Sequence, residues 1–208
     1  MTEEGGQGSR HDPLEQSRAF GGVIDVLEAV GATYAIWGGL SVVAYGEPRF
    51  TMDMDVLLDH RGFPVDLFVR RLQESHYHVD RIAVQRAVVE GGYFNVIHLT
   101  THIKTDFYVP RGEEAGIRRL LRQALAERVV LPFDEMRQAA YVSAEGAITS
   151  KLYAFAESGS TRHLDDIGSI IRVQGDRLDT AAIDVVAARL GVLGAWRAQW
   201  EQNRRDSE

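Results

Sequence analysis

Residues 38–59 read GGLSVVAYGEPRFTMDMDVLLD. Small, apolar and β-branched residues fill most of this stretch, as a folded core requires. Asp53 and Asp55 interrupt it, one methionine apart. A strand places every second side chain on the same face. Over 50–58, read as a strand, Thr51, Asp53 and Asp55 share one face. Met52, Met54 and Val56 share the other and are expected to pack on the core. Cα atoms two residues apart on a strand are separated by roughly 6.5–7 Å. Both carboxylates can therefore lean on one cation or bridge two. Without a cation the pair is unfavourable, since unit charges ~4 Å apart repel by about 4 kcal/mol at an effective dielectric of 20. A divalent cation reverses that sign. Oxygen donors in a chain with no cysteine favour Mg²⁺ or Mn²⁺ over zinc.

The flanking sequence fits the same chemistry. TYAIW (33–37) reads as a short strand, and GGLSVVAYG as a turn into a short helix that ends near Gly46, with Pro48 blocking its continuation. Amides at a helix N-terminus lack partners, and the helix dipole there favours anions. Gly38 and Gly39 let the backbone approach a triphosphate closely, and Ser41 adds a hydroxyl donor. Downstream, GYFNVIHL (92–99) and HIKTDFYV (102–109) read as a hairpin turning at Thr100 and Thr101. Asp106 sits in the second run, with Lys104 and Tyr108 on its face. If that run lies beside 51–58, Asp53, Asp55 and Asp106 converge. Three carboxylates can hold two metal ions about 3.5–4 Å apart, an arrangement suited to in-line phosphoryl transfer. Taken singly, Gly-Gly is a turn, Ser41 a helix cap and Asp-x-Asp a solvated strand face. Their order along the chain carries the reading.

Apolar residues Leu14, Phe20, Val23, Leu27 and Val30 recur at helical spacing, with Gly31 as C-cap. A helix is expected over 63–75, then an irregular stretch holding His76 and His78, a helix over 113–126, and strands at 127–133 and 139–143. Helices follow at 145–157, 162–173, 179–190 and 193–204. The fold class is α+β: a mixed sheet flanked by helices, then a helical C-terminal half. The expected divisions are a flexible tail (1–12), an α/β core (13–135) and a helical domain (136–208).

Composition sets the outer bounds. With 208 residues, 45% hydrophobic and 25% charged, the chain has the make-up of a soluble globular protein. No apolar run approaches the ~20 residues that span a bilayer, and MTEEGGQGSRHDP is too polar for a secretory signal. These features fit a cytoplasmic protein with no membrane partner. The net charge of −7 gives little general attraction for phosphate backbones. Arg118, Arg119, Arg122 and Arg128 could supply a local basic face. Lys104 and Lys151 are the only lysines among 23 basic residues.

The ordered series WGGLS, MDMDV and TDFYV resembles the nucleotidyltransferase superfamily related to DNA polymerase β. Its pattern is hG[GS], about ten further residues, [DE]h[DE]h, and a third carboxylate on a later strand. Within the superfamily the chain looks most like bacterial AbiEii-type toxins and their relatives, through SKLYAF (with Lys151) and RHLDDI (with Arg162, Asp165 and Asp166). The resemblance spans roughly residues 20–172. It implies that Asp53 and Asp55 hold the metal gripping an NTP, and that Asp106 binds a second metal and helps activate an acceptor hydroxyl. Gly38, Gly39 and Ser41 would hold the β- and γ-phosphates and Lys151 would neutralise phosphate charge. The acceptor would be a tRNA end, a protein hydroxyl or a small molecule such as an aminoglycoside, and a cognate antitoxin a partner. Arg49 is expected to meet a phosphate or stay solvated, Asp165 and Asp166 to pair with Arg162, and His163 to be exposed.

Two other readings remain. The chain could be a nucleotide-binding toxin or regulatory module that acts through a partner without turnover. It could be a metal-dependent phosphohydrolase of another fold, against which the lack of His–Asp ligand pairs argues.

Overall fold

A computed structural model describes residues 13–110, 128–131 and 134–205. The expected tail, the helix at 113–126 and the side chains of the four arginines from 118 to 128 lie outside what it describes. The order begins α1 (Pro13–Ala29), β1 (Tyr34–Trp37), α2 (Gly38–Tyr45), β2 (Met54–Leu58) and α3 (Val65–Glu74). It continues β3 (Tyr77–Val79), α4 (Arg81–Glu90), β4 (Gly92–His98) and β5 (Lys104–Val109). After β6 (Arg128–Leu131) and β7 (Asp134–Ala140) come α5 (Ala144–Ser158), α6 (Arg162–Gln174), α7 (Thr180–Arg189) and α8 (Leu193–Arg205). The expected α+β class holds. The expected boundary at 135/136 falls inside β7.

Five strands form one mixed sheet in the order β1-β2-β5-β4-β3. β2 runs antiparallel to β1 and parallel to β5, so the Asp-x-Asp strand lies centrally beside the strand of Asp106. The 92–109 hairpin forms as expected, with β4 antiparallel to β5. β6 and β7 make a separate hairpin, and Tyr141 just beyond β7 bridges to Ile36.

Strand alternation divides the core. Ile36, Met54, Val56, Leu58, Phe94, Val96 and Phe107 pack with Phe20, Val23 and Leu27 of α1 and Phe68 and Leu72 of α3. Ala35 and Leu57 turn to the opposite face and pack with Val42, Ile148, Leu152, Ile167, Ile170, Ile171 and Trp196. The C-terminal helices therefore cover the end of the sheet face that carries Asp55.

Three expectations need correction. β2 begins at Met54 rather than residue 50, and Met52 is exposed in the preceding loop instead of packing on the core. Leu14 is exposed, so α1 buries its apolar face only from Ala19 onward. The stretch read as irregular after residue 75 holds β3 and α4. Asp80 caps α4 by accepting from the Ile82 amide at 2.8 Å.

Candidate active site

Register brings the acidic residues together. Asp55 lies opposite Trp37 on one side and Asp106 on the other, and Asp106 lies opposite Asn95. Trp37, Asp55, Asp106 and Asn95 thus form a row across four strands. On β5, Thr105, Phe107 and Val109 are buried while Lys104, Asp106 and Tyr108 occupy the half-open face. This is the face expected from the sequence. Asp53 lies just before β2, and its charge, like those of Asp106 and Asp55, acts on Lys104.

The glycine turn closes directly on this row. Gly38 has φ +63°, and a Cβ there would overlap the Asp55 carboxylate. The Gly39 amide donates to Asp55 Oδ2 at 3.4 Å. A Cβ on Gly39 would press on Thr51, with the Arg49 guanidinium beyond it at 3.7 Å. Both glycines are required by the close approach of side chains, Asp55 at Gly38 and Thr51 at Gly39. Ser41 is fully buried and its hydroxyl donates to the Gly38 carbonyl at 2.9 Å. It braces the turn, and contact with a phosphate would require giving up that bond.

Asp55 is under electrostatic stress. Its pKa is pushed up to about 6, first by burial and then by the Asp53 charge; Asp106 adds to the rise, against the Gly39 amide and Lys151. Lys104 Nζ lies 2.6 Å from Asp106 Oδ2, and this hydrogen bond raises the lysine pKa. Among the described residues, no three His, Cys, Asp or Glu side chains are gathered so that they could hold a metal ion. Asp53, Asp55 and Asp106 share the face without closing on one point. The donor set itself, all carboxylate oxygen beside a glycine turn with no room for a Cβ, fits a hard divalent cation.

A second charged cluster lies beside the first. Asp166 on α6 pairs with Lys151 Nζ on α5 at 2.8 Å and with Arg49 Nε at 2.9 Å. Its side chain is 6% exposed and that of Lys151 11%. Asp166 therefore pairs with two distant cations rather than with Arg162. Arg49 is neither solvated nor remote: it reaches from the loop before β2 to Asp166, next to Gly39. His163 is half-buried rather than exposed, and its Nδ1 is buried with no hydrogen-bond partner. Burial and then the Lys151 charge lower its pKa, which favours the neutral imidazole.

Sequence reasoning also passed over a row of rings. Trp37 stacks on Tyr108 at 5.7 Å and Tyr108 on Tyr93 at 4.6 Å. The register Leu57–Tyr108–Tyr93 runs one step beyond the carboxylate row. Alternation of YIW-type strands signals the face but not which rings meet.

No family model matches the chain, and no curated protein matches it. Solved structures do. ANT(2″)-Ia in complex with adenylyl-2″-tobramycin aligns with a TM-score of 0.55 and 15% identity, over 83% of this chain and 94% of that one. The solution structure of the antibiotic-resistance factor ANT(2″)-Ia aligns at 0.51 and 13% identity, over 94% and 98% of the two chains. The chain shares the fold of ANT(2″)-Ia. At this identity the likeness is one of fold. An antigenic nucleotidyltransferase-like protein from Paracoccidioides brasiliensis is also similar, at a TM-score of 0.48 and 19% identity over 85% of this chain and 89% of that one.

Proposed function

We propose that the chain is a divalent-metal-dependent nucleotidyltransferase, moving an NMP group from an NTP to an acceptor hydroxyl. One observation carries the reading: Asp55 stands opposite Asp106 on adjacent parallel strands, beside a glycine turn that donates an amide to Asp55. Mg²⁺ or Mn²⁺ on Asp53 and Asp55, with Asp106 as a further ligand, would neutralise triphosphate charge and polarise the α-phosphorus. Asp106, through the oxygen not paired with Lys104, would take the proton of the acceptor hydroxyl. The hydroxyl oxygen bonds to the α-phosphorus, the bond from that phosphorus to the bridging oxygen breaks, and pyrophosphate leaves with the electron pair. Gly38 and Gly39 offer backbone to the β- and γ-phosphates. Lys151 and Arg49, both held by Asp166, supply positive charge at that end of the site.

The acceptor is an RNA end, a protein side chain or a small molecule. The aromatic row of Trp37, Tyr108 and Tyr93 is a surface on which a base or sugar ring would lie. The adenylyl-tobramycin bound to ANT(2″)-Ia puts aminoglycosides among the acceptors to test, and a net charge of −7 favours a cationic acceptor over RNA. Lys151 and Asp166 belong to the two segments of AbiEii-type resemblance, and their ion pair joins them. On that narrower reading the chain is the toxin of a toxin–antitoxin or phage-defence pair, with an antitoxin as partner.

The test is incubation with each α-labelled NTP, Mg²⁺ and, in turn, cellular RNA, cellular protein and tobramycin. Wild type should label an acceptor and the Asp53→Ala/Asp55→Ala double variant should not. No transfer to any acceptor with any base would sink the proposal. The Lys104–Asp106 pair favours a second reading, nucleotide binding without turnover, because it occupies the oxygen that would serve chemistry. Bound label with no pyrophosphate released would mark that case.

A further inference from the structure

Three carboxylates face one ammonium on the open side of the sheet. Asp55 stands opposite Asp106, and the charges of Asp106, Asp53 and Asp55 all bear on Lys104. The ammonium lies 2.6 Å from Asp106 Oδ2. That arrangement leaves two formal negative charges, which one divalent cation balances.

Stability does not explain the lysine. Its side chain is 43% exposed and that of Asp106 31%, and ion pairs of that exposure contribute little. Composition is more telling. The chain has 23 lysines and arginines, of which only Lys104 and Lys151 are lysine, and both lie at this site. A guanidinium is a wide planar fork, whereas an ammonium is a compact point charge that can stand where a small cation would. Resting on the nucleotidyltransferase reading, we propose that Lys104 takes the place of a second divalent ion. The chain binds one metal ion, on Asp53 and Asp55, and the Lys104 ammonium is the permanent cation on Asp106.

The proposal is tested by counting Mn²⁺ bound to the full chain by electron paramagnetic resonance, which needs no turnover. Wild type should bind one ion, and Asp53→Asn/Asp55→Asn none. Lys104→Met, at a half-exposed position where the fold tolerates change, should bind two. Lys104→Gln should behave likewise, and adding Asp106→Asn to Lys104→Met should restore one. Two ions on wild type, both lost in Asp53→Asn/Asp55→Asn, would overturn the proposal and leave the nucleotidyltransferase reading standing. A count of one in both Lys104 variants would also overturn it. No ion on wild type would overturn both.

Discussion

Two charged clusters lie within one site, and they are built on opposite principles. At Asp166 one buried carboxylate is shared by two cations, Lys151 and Arg49, so that group carries a net positive charge. At Asp55 the carboxylate is crowded by Asp53 and Asp106; the Lys104 ammonium pairs with Asp106, and Lys151 acts on Asp55 without an ion pair to it. The first cluster has an excess of positive charge and the second an excess of negative charge. The contrast separates charge paired across the fold from charge crowded on one sheet face, which composition and motif spacing cannot do.

The largest effect should come from breaking the Asp166 cluster. Asp166→Ala leaves Lys151 buried without its partner, and loss of one member of a buried pair costs about 3–5 kcal/mol. Chemical denaturation at neutral pH should show a loss of that size. A loss near zero would mean that Asp166 is not what holds Lys151.

The open cluster should respond with the opposite sign. A carboxyl whose folded pKa is about 6, against an ordinary 3.8, binds its proton more tightly when folded. Its neutral form is favoured at low pH, and stability falls as pH rises from about 4 through 6. At one pKa unit per 1.36 kcal/mol, the loss amounts to about 3 kcal/mol at pH 7. Asp55→Asn, measured without divalent ions, should recover up to that amount at pH 7 and almost nothing at pH 4. If the variant is less stable than wild type at pH 7, Asp55 is not under the stress described.

Gly38→Ala should act more weakly on the same cluster. The left-handed φ costs a side chain about 1–2 kcal/mol, and the new methyl would displace the Asp55 carboxylate. Thermal denaturation reads the cost. An unchanged midpoint would show that the turn relaxes freely and does not confine Asp55.

Sequence patterns reached part of this comparison. The Gly-Gly turn, β2, the 92–109 hairpin and the Asp-bearing face of β5 were legible because period-two alternation and turn residues are local signals. β3 and α4 were not: the strand has three residues, and α4 exposes Ile82 and Val89, which blurs its apolar face. The partners of Asp166 were misread because helical spacing offers Arg162 nearby, whereas the structure uses residues 15 and 117 positions away. The bearing of the Asp53 and Asp55 charges on Lys104 needed the pairing of β2 with β5, which no single segment encodes. Burial of Ser41 was likewise a tertiary outcome.

In the proposed reaction the open carboxylate cluster directs attack on an α-phosphorus. The most direct measurement follows two labels through one reaction, with the NTP labelled at the α- or the γ-phosphate. The α-label should appear on the acceptor and the γ-label in pyrophosphate, with both products lost in Asp55→Asn. The γ-label on the acceptor, or released as orthophosphate, would contradict it.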